Sequence, residues 1–183
     1  MNDSKRVALT GFMGVGKSSI ARHLGSMLGC QIVDLDSEIE RSTKRRIASI
    51  IDEDGLTAYR LIETETLRLA LNQSRALIFS LGGGTWTSQQ NRDLIRDHGI
   101  TTVWLESTFE HCWYNIRTSK KERPLARDKK AARQLFEERQ QIYCLADWHF
   151  IVRPGLNSQD LARQIADQVF YESSKPHLKK HTG

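Results

Sequence analysis

The stretch Gly11 to Ser19, GFMGVGKSS, holds the first arrangement of residues able to do chemistry. Gly11, Gly16, Lys17 and Ser18 fit the G-x-x-x-x-G-K-[ST] pattern that grips phosphates. Glycines at 11, 14 and 16 let the backbone curl tightly, so successive N–H groups point inward at the positive end of a helix. Lys17 then reaches the β- and γ-phosphates as a mobile point charge, and Ser18 offers a hydroxyl oxygen to a Mg2+ ion that keeps most of its waters. Gly14, Val15, Gly16, Lys17, Ser18 and Ser19 are therefore the expected nucleotide-binding residues.

Four further groups have suitable types. Asp34 and Asp36 close a second apolar run; read as strand residues, the two carboxylates serve different partners, one a metal and one an acceptor, although an Asp here also suits a helix cap. Gly82, Gly83 and Gly84 follow a third apolar run, and three consecutive glycines predict close approach of the backbone to a ligand. Arg60 and Glu63 have the spacing of a helix-surface ion pair. Between Arg117 and Arg133 the basic residues far outnumber the acids Glu122 and Asp128, and the segment has a proline and few apolar anchors, as a lid over phosphates would. Arg139 lies beyond it on a predicted helix over 131–144.

Short apolar runs alternating with helical patterns must position these groups. Strands are predicted near 7–10, 31–35, 76–81, 101–105 and 148–152, and a helix over 18–28 follows the glycine loop. Such alternation gives an α/β fold, a five-stranded parallel sheet covered by helices on both faces, with ligands at the carboxyl ends of the strands. Residues 37–71 read as helices broken at Gly55, too long for a plain crossover and suited to a substrate-holding insertion over about 34–63.

Length and a 39% hydrophobic content fit one domain over 1–172, with a lid over about 117–130. Three of the five net positive charges sit in the basic tail 173–183, which is expected to be disordered, so the body is weakly charged and nucleic acid is not an expected partner. Cys30, Cys112 and Cys144 lack metal-ligand spacing and read as free thiols of a reducing compartment. Without an apolar run of membrane length or a signal-like start, a cytoplasmic protein that does not bind membranes is expected.

The loop GFMGVGKSS, the pair Asp34 and Asp36, Tyr59-Arg60-x-x-Glu63, the glycine triplet, Asn91-Arg92, Arg123-Pro124-Leu125, and Arg139 with Tyr143 and Ala146-Asp147 together resemble the shikimate kinase family, over about residues 5–170. The resemblance implies a three-layer P-loop fold like that of nucleoside-monophosphate kinases, with ATP and shikimate as ligands, Mg2+ as cofactor and a monomer as the working state. It implies that Asp36, Arg60, Gly82, Gly83, Gly84 and Arg139 hold shikimate, the two arginines on its carboxylate and Asp36 on its hydroxyls. Ser18 and Asp34 would serve the metal, Arg123 would reach the transferring phosphate from the lid, and Arg117 with Pro154 would sandwich adenine. Lys17, Asp36 and Arg123 become the catalytic set.

The chain departs from that family's pattern in places. Lys44-Arg45-Arg46-Ile47 stands where Gly-x-Ser-Ile is usual, Ser49 where a glutamate is, Ala126 where the lid has a second leucine, and Gln141-Ile142 where Pro-Leu precedes Tyr143. The spacing from Arg117 to Arg123 is one residue short. Two other readings stay open, a small-molecule kinase with another acceptor and a non-catalytic ATP-binding relative. A GTPase is disfavoured, since Asp52-Glu53-Asp54-Gly55 matches D-x-x-G but follows no strand and no N-K-x-D motif occurs.

Overall fold

A computed structural model describes residues 5–153 and 155–171. Strands β1 (Val7–Thr10), β2 (Ile32–Asp34), β3 (Ile78–Ser80), β4 (Thr101–Glu106) and β5 (Trp148–Ile151) form one parallel sheet in the order β2-β3-β1-β4-β5. Helices α1 (Lys17–Leu28), α2 (Leu35–Thr43), α3 (Ile47–Gln73), α4 (Gln89–Asp97), α5 (Phe109–Thr118), α6 (Lys129–Tyr143) and α7 (Ser158–Ile165) make the connections, α7 running on into π-helical turns over Ala166–Tyr171.

Burial explains why the strand signals are short apolar runs. Val7, Ala8 and Leu9 of β1 are fully buried because β3 and β4 flank them and helices cover both faces. The edge strand β5 alternates instead: Phe150 is buried while His149 and Ile151 are exposed. Its start is pinned by Asp147, whose carboxylate accepts from the amide and hydroxyl of Thr102, each at 2.7 Å. That contact gives the Ala146-Asp147 pair a structural task.

One expectation is corrected. The second strand stops at Asp34, because Leu35 already begins α2; Asp36 therefore stands in the first turn of a helix and not on a strand. Asp34 is also the cap of α2, its carboxylate accepting from the Ser37 amide at 3.1 Å. The break at Gly55 is present, with φ 88° and ψ 164° inside α3, and a second break separates α2 from α3 at residues 44–46. The tail 173–183 and Pro154 lie outside the described residues.

Candidate active site

Everything of interest gathers at the carboxyl ends of β1, β2 and β3. The loop after β1 delivers Gly16 as the N-cap of α1, with φ 102° and no side chain capping it. By contrast, Asp34, Ser88, Thr108, Asp128 and Asn157 cap α2, α4, α5, α6 and α7 with their own side chains. The first amides of α1 are thus left to an anion, where the helix dipole favours one. Gly14 shows why the loop tolerates no larger residue: its φ is 82°, and a Cβ there would collide with the Cys112 carbonyl of α5. Asn115, also on α5, donates to the Gly14 carbonyl at 2.8 Å and fixes the loop from behind. Val15 buries its side chain beneath the loop, and the Ser19 hydroxyl accepts from Arg22 at 3.1 Å.

Lys17 folds back over this loop, donating to the carbonyls of Gly11 at 2.7 Å and Phe12 at 2.9 Å. Burial pushes its ammonium down to about 8, and the neighbouring Arg123 guanidinium adds to the shift against the opposing pull of Asp36. Ser18 stands 3.5 Å from the Ser80 hydroxyl. Burial works against the Asp34 carboxylate, yet hydrogen bonds from Ser18 and from the Ser37 amide and hydroxyl, helped by the Lys121 charge, hold it below the usual carboxylate range. Oxygen donors from a hydroxyl and an ionised carboxylate beside a phosphate nest suit Mg2+, which takes few protein ligands and keeps waters. No cluster of three or more His, Cys, Asp or Glu able to hold a metal occurs among the described residues, which leaves phosphates and water to complete any such shell.

The glycine triplet also has a physical basis within the protein itself. None of the three has a left-handed φ; what they provide is closeness to protein groups. A Cβ on Gly84 would overlap the Arg60 guanidinium, and one on Gly82 would press on Glu63 and Asp36. The Gly83 carbonyl accepts from Arg139 at 3.0 Å and from the Tyr143 hydroxyl. The two arginines, far apart in sequence, are thus brought against consecutive glycines.

Arg60 and Glu63 do form an ion pair, at 2.5 Å, but not a surface one. Glu63 is completely buried and also accepts from the Thr85 hydroxyl at 2.7 Å and Tyr59 at 3.2 Å. Its position one helical turn from Arg60 was the available signal for this support. Asn91 and Arg92 hold the turn that follows the triplet, bonding the carbonyls of Thr85, Trp86 and Thr87. From the segment between α5 and α6, Lys121 reaches Asp36 at 2.9 Å and Arg123 reaches it at 3.5 Å. Lys121 carried no signal beyond its place in a basic run.

Two cavities meet here. The inner one, about 370 Å³, is lined by Gly14, Gly16, Lys17, Ser18 and Ser19 of the glycine loop. The outer, about 1010 Å³, is lined by Arg60, Gly83, Gly84 and Arg139 and by residues 119–125 of the segment between α5 and α6. Ser18, Asp34, Asp36, Gly83 and Arg123 border both. Arg117 is not brought in: it is exposed on the last turn of α5, 6.0 Å over the Trp113 ring, and borders neither cavity. Gly82 and Val15 lie behind the walls.

A phosphate nest opening onto a second cavity, with a carboxylate and a cation at the junction, defines a phosphoryl-transfer enzyme of the P-loop kinase class. A shikimate kinase family profile matches residues 13–170. The shikimate kinase of Persephonella marina is 35% identical over 165 residues, spanning 90% of this chain and 99% of its own; that of Cereibacter sphaeroides is 36% identical, over 78% and 72%. The chain belongs to the shikimate kinase family. Among solved structures, the shikimate kinase from Acinetobacter baumannii in complex with shikimate superposes with a TM-score of 0.87 at 29% identity, covering 94% of this chain and 97% of that one. A deoxyadenosine kinase from M. mycoides, at a TM-score of 0.66 and 14% identity, shares the fold alone.

Proposed function

We propose that this protein transfers the γ-phosphoryl group of ATP to the 3-hydroxyl of shikimate, giving ADP and shikimate 3-phosphate. The observation that carries the proposal is the junction: Asp36 and Arg123 stand where the phosphate cavity opens into the cavity that holds both carboxylate-binding candidates, Arg60 and Arg139. An acceptor anchored by its carboxylate on these guanidiniums presents its hydroxyls toward Asp36. A planar carboxylate matches the guanidinium fork, and two forks distinguish an acid from a neutral sugar.

In the mechanism we assign, the loop amides and Lys17 hold the β- and γ-phosphates, and Arg123 follows charge onto the moving phosphoryl oxygens. Asp36 orients the acceptor hydroxyl and takes its proton as the new oxygen–phosphorus bond forms. The transition state is loose and asks little of a base, so the placement of the acceptor by Arg60 and Arg139 contributes as much as proton removal. Ser18 and Asp34 are the residues that would hold Mg2+, which would supply positive charge to offset that of the ATP phosphates. Arg117 keeps only a resemblance in favour of an adenine contact.

The test is ATP consumption measured against a panel of acceptors. Turnover with shikimate well above that with gluconate, nucleosides and water supports the assignment, and product analysis by phosphorus NMR should place the phosphate on O3. Equal turnover with gluconate would move the protein to another acceptor class, and no turnover with any acceptor would favour a non-catalytic relative.

A further inference from the structure

Lys121 makes a contact that these assignments leave unused. Its Nζ lies 2.9 Å from Asp36 Oδ2, nearer than the Arg123 guanidinium at 3.5 Å, and the Asp36 side chain is only 17% exposed. Asp36 Oδ1 lies where a Cβ on Gly82 would press on it, whereas Oδ2 is the oxygen that both Lys121 and Arg123 meet. The segment carrying Lys121 is anchored as well. Arg127 forks onto Asp52 of α3 at 3.0 and 2.6 Å and reaches back to Glu122 at 2.8 Å, so the lid strand is tied at its far end to the acceptor side of the molecule.

We propose that Lys121 is a positioning residue that occupies Asp36 until an acceptor displaces it. The proposal rests on the role assigned above to Asp36. An acceptor hydroxyl and the Lys121 ammonium compete for the same carboxylate oxygen, and exchange of one for the other makes the carboxylate available only when an acceptor is present. The reaction held back is hydrolysis: a water oxygen bonds to the γ-phosphorus, the bond from that phosphorus to the β,γ-bridging oxygen breaks, and ADP leaves with the electron pair. The proton lost by the water passes through Asp36 to solvent, leaving ADP and inorganic phosphate. With Lys121 seated on Oδ2, the ammonium competes with that water for the carboxylate oxygen.

Lys121→Met removes the competitor while keeping most of the length of the side chain. ADP release without acceptor should rise about threefold or more, and the KM for shikimate should fall about threefold, the size of one partly exposed ion pair. The KM for ATP should stay within about twofold, and Lys121→Arg, which restores the cation, should restore both wild-type values. A generalised loosening of the lid would not be repaired by arginine in this paired way. Unchanged hydrolysis and shikimate KM in Lys121→Met would overturn the inference, as would a raised KM for ATP with hydrolysis unchanged, which would assign Lys121 to the phosphates. A wild type that transfers nothing to shikimate overturns the functional assignment too, whereas transfer with unaltered hydrolysis in the mutant overturns the Lys121 role alone.

Discussion

Lys17 is held in surroundings that resist its charge: it is buried, it faces Arg123, and its only hydrogen bonds are to two carbonyls of its own loop among the contacts of the described residues. With its ammonium near 8 in the free protein, part of the population is neutral at mildly alkaline pH. The phosphates of ATP favour the charged form, so their arrival should raise that value and draw in a proton. At pH 8, calorimetry in buffers of different ionisation enthalpy should show uptake of roughly half a proton per ATP bound, falling toward zero near pH 6.5 where Lys17 is already charged. Lys17→Met should abolish the uptake at pH 8; uptake that survives the substitution would place the titrating group elsewhere. The same shift acts on stability with a definite sign. The unfolded chain binds this proton more tightly than the folded one, so the contribution of Lys17 to stability improves as pH rises from about 8 toward the unfolded lysine value of about 10.4.

At the level of elements, the junction between α2 and α3 holds two of the departures from the resembled family's pattern, Lys44 and Arg46, and both have a physical account. Lys44 has φ 53° and ψ 25°, the left-handed conformation that the family's usual glycine adopts without cost. Arg46 stands at the N-cap of α3 where a serine is usual and caps nothing; the Ile47 amide is served instead by Glu40 of α2, at 3.1 Å. Lys44→Gly should therefore stabilise the protein by about 1 kcal/mol, a rise in Tm of about 2–4 °C by calorimetry, with turnover unchanged. An unchanged or lower Tm would mean that the backbone at 44 is not strained.

This junction also marks how far the sequence could be read. The five strands, the phosphate loop and the break at Gly55 were legible because each depends on local signals: apolar runs, glycine spacing and a residue that cannot continue a helix. The end of β2 was misplaced by one residue, since Leu35 serves equally as a strand residue and as the first buried residue of a helix. Glu63 and Lys121 were not legible as site residues because their partners are remote. Burial of Glu63 by Thr85 and the approach of Lys121 to Asp36 are decided by packing between elements separated by 22 and 85 residues.

Across the whole molecule, the chain works by bringing together groups from every part of its length: the loop after β1, the start of α2, the middle of α3, the turn after β3, the lid and α6. The convergence of Arg60 and Arg139 on consecutive glycines is the clearest product of that arrangement, and it sets the acceptor specificity proposed here. The most direct measurement is a cycle that changes protein and acceptor together, comparing wild type and Arg60→Lys on shikimate and on an analogue whose carboxylate is reduced to an alcohol. On shikimate, Arg60→Lys should raise KM about tenfold or more, because an ammonium cannot reproduce the two parallel bonds of the fork. On the alcohol analogue, already a poor acceptor, the same substitution should change KM by less than about twofold, since the partner is missing. Losses of equal proportion on the two acceptors would show that Arg60 does not touch the carboxylate, and the assignment of shikimate to this cleft would then be contradicted.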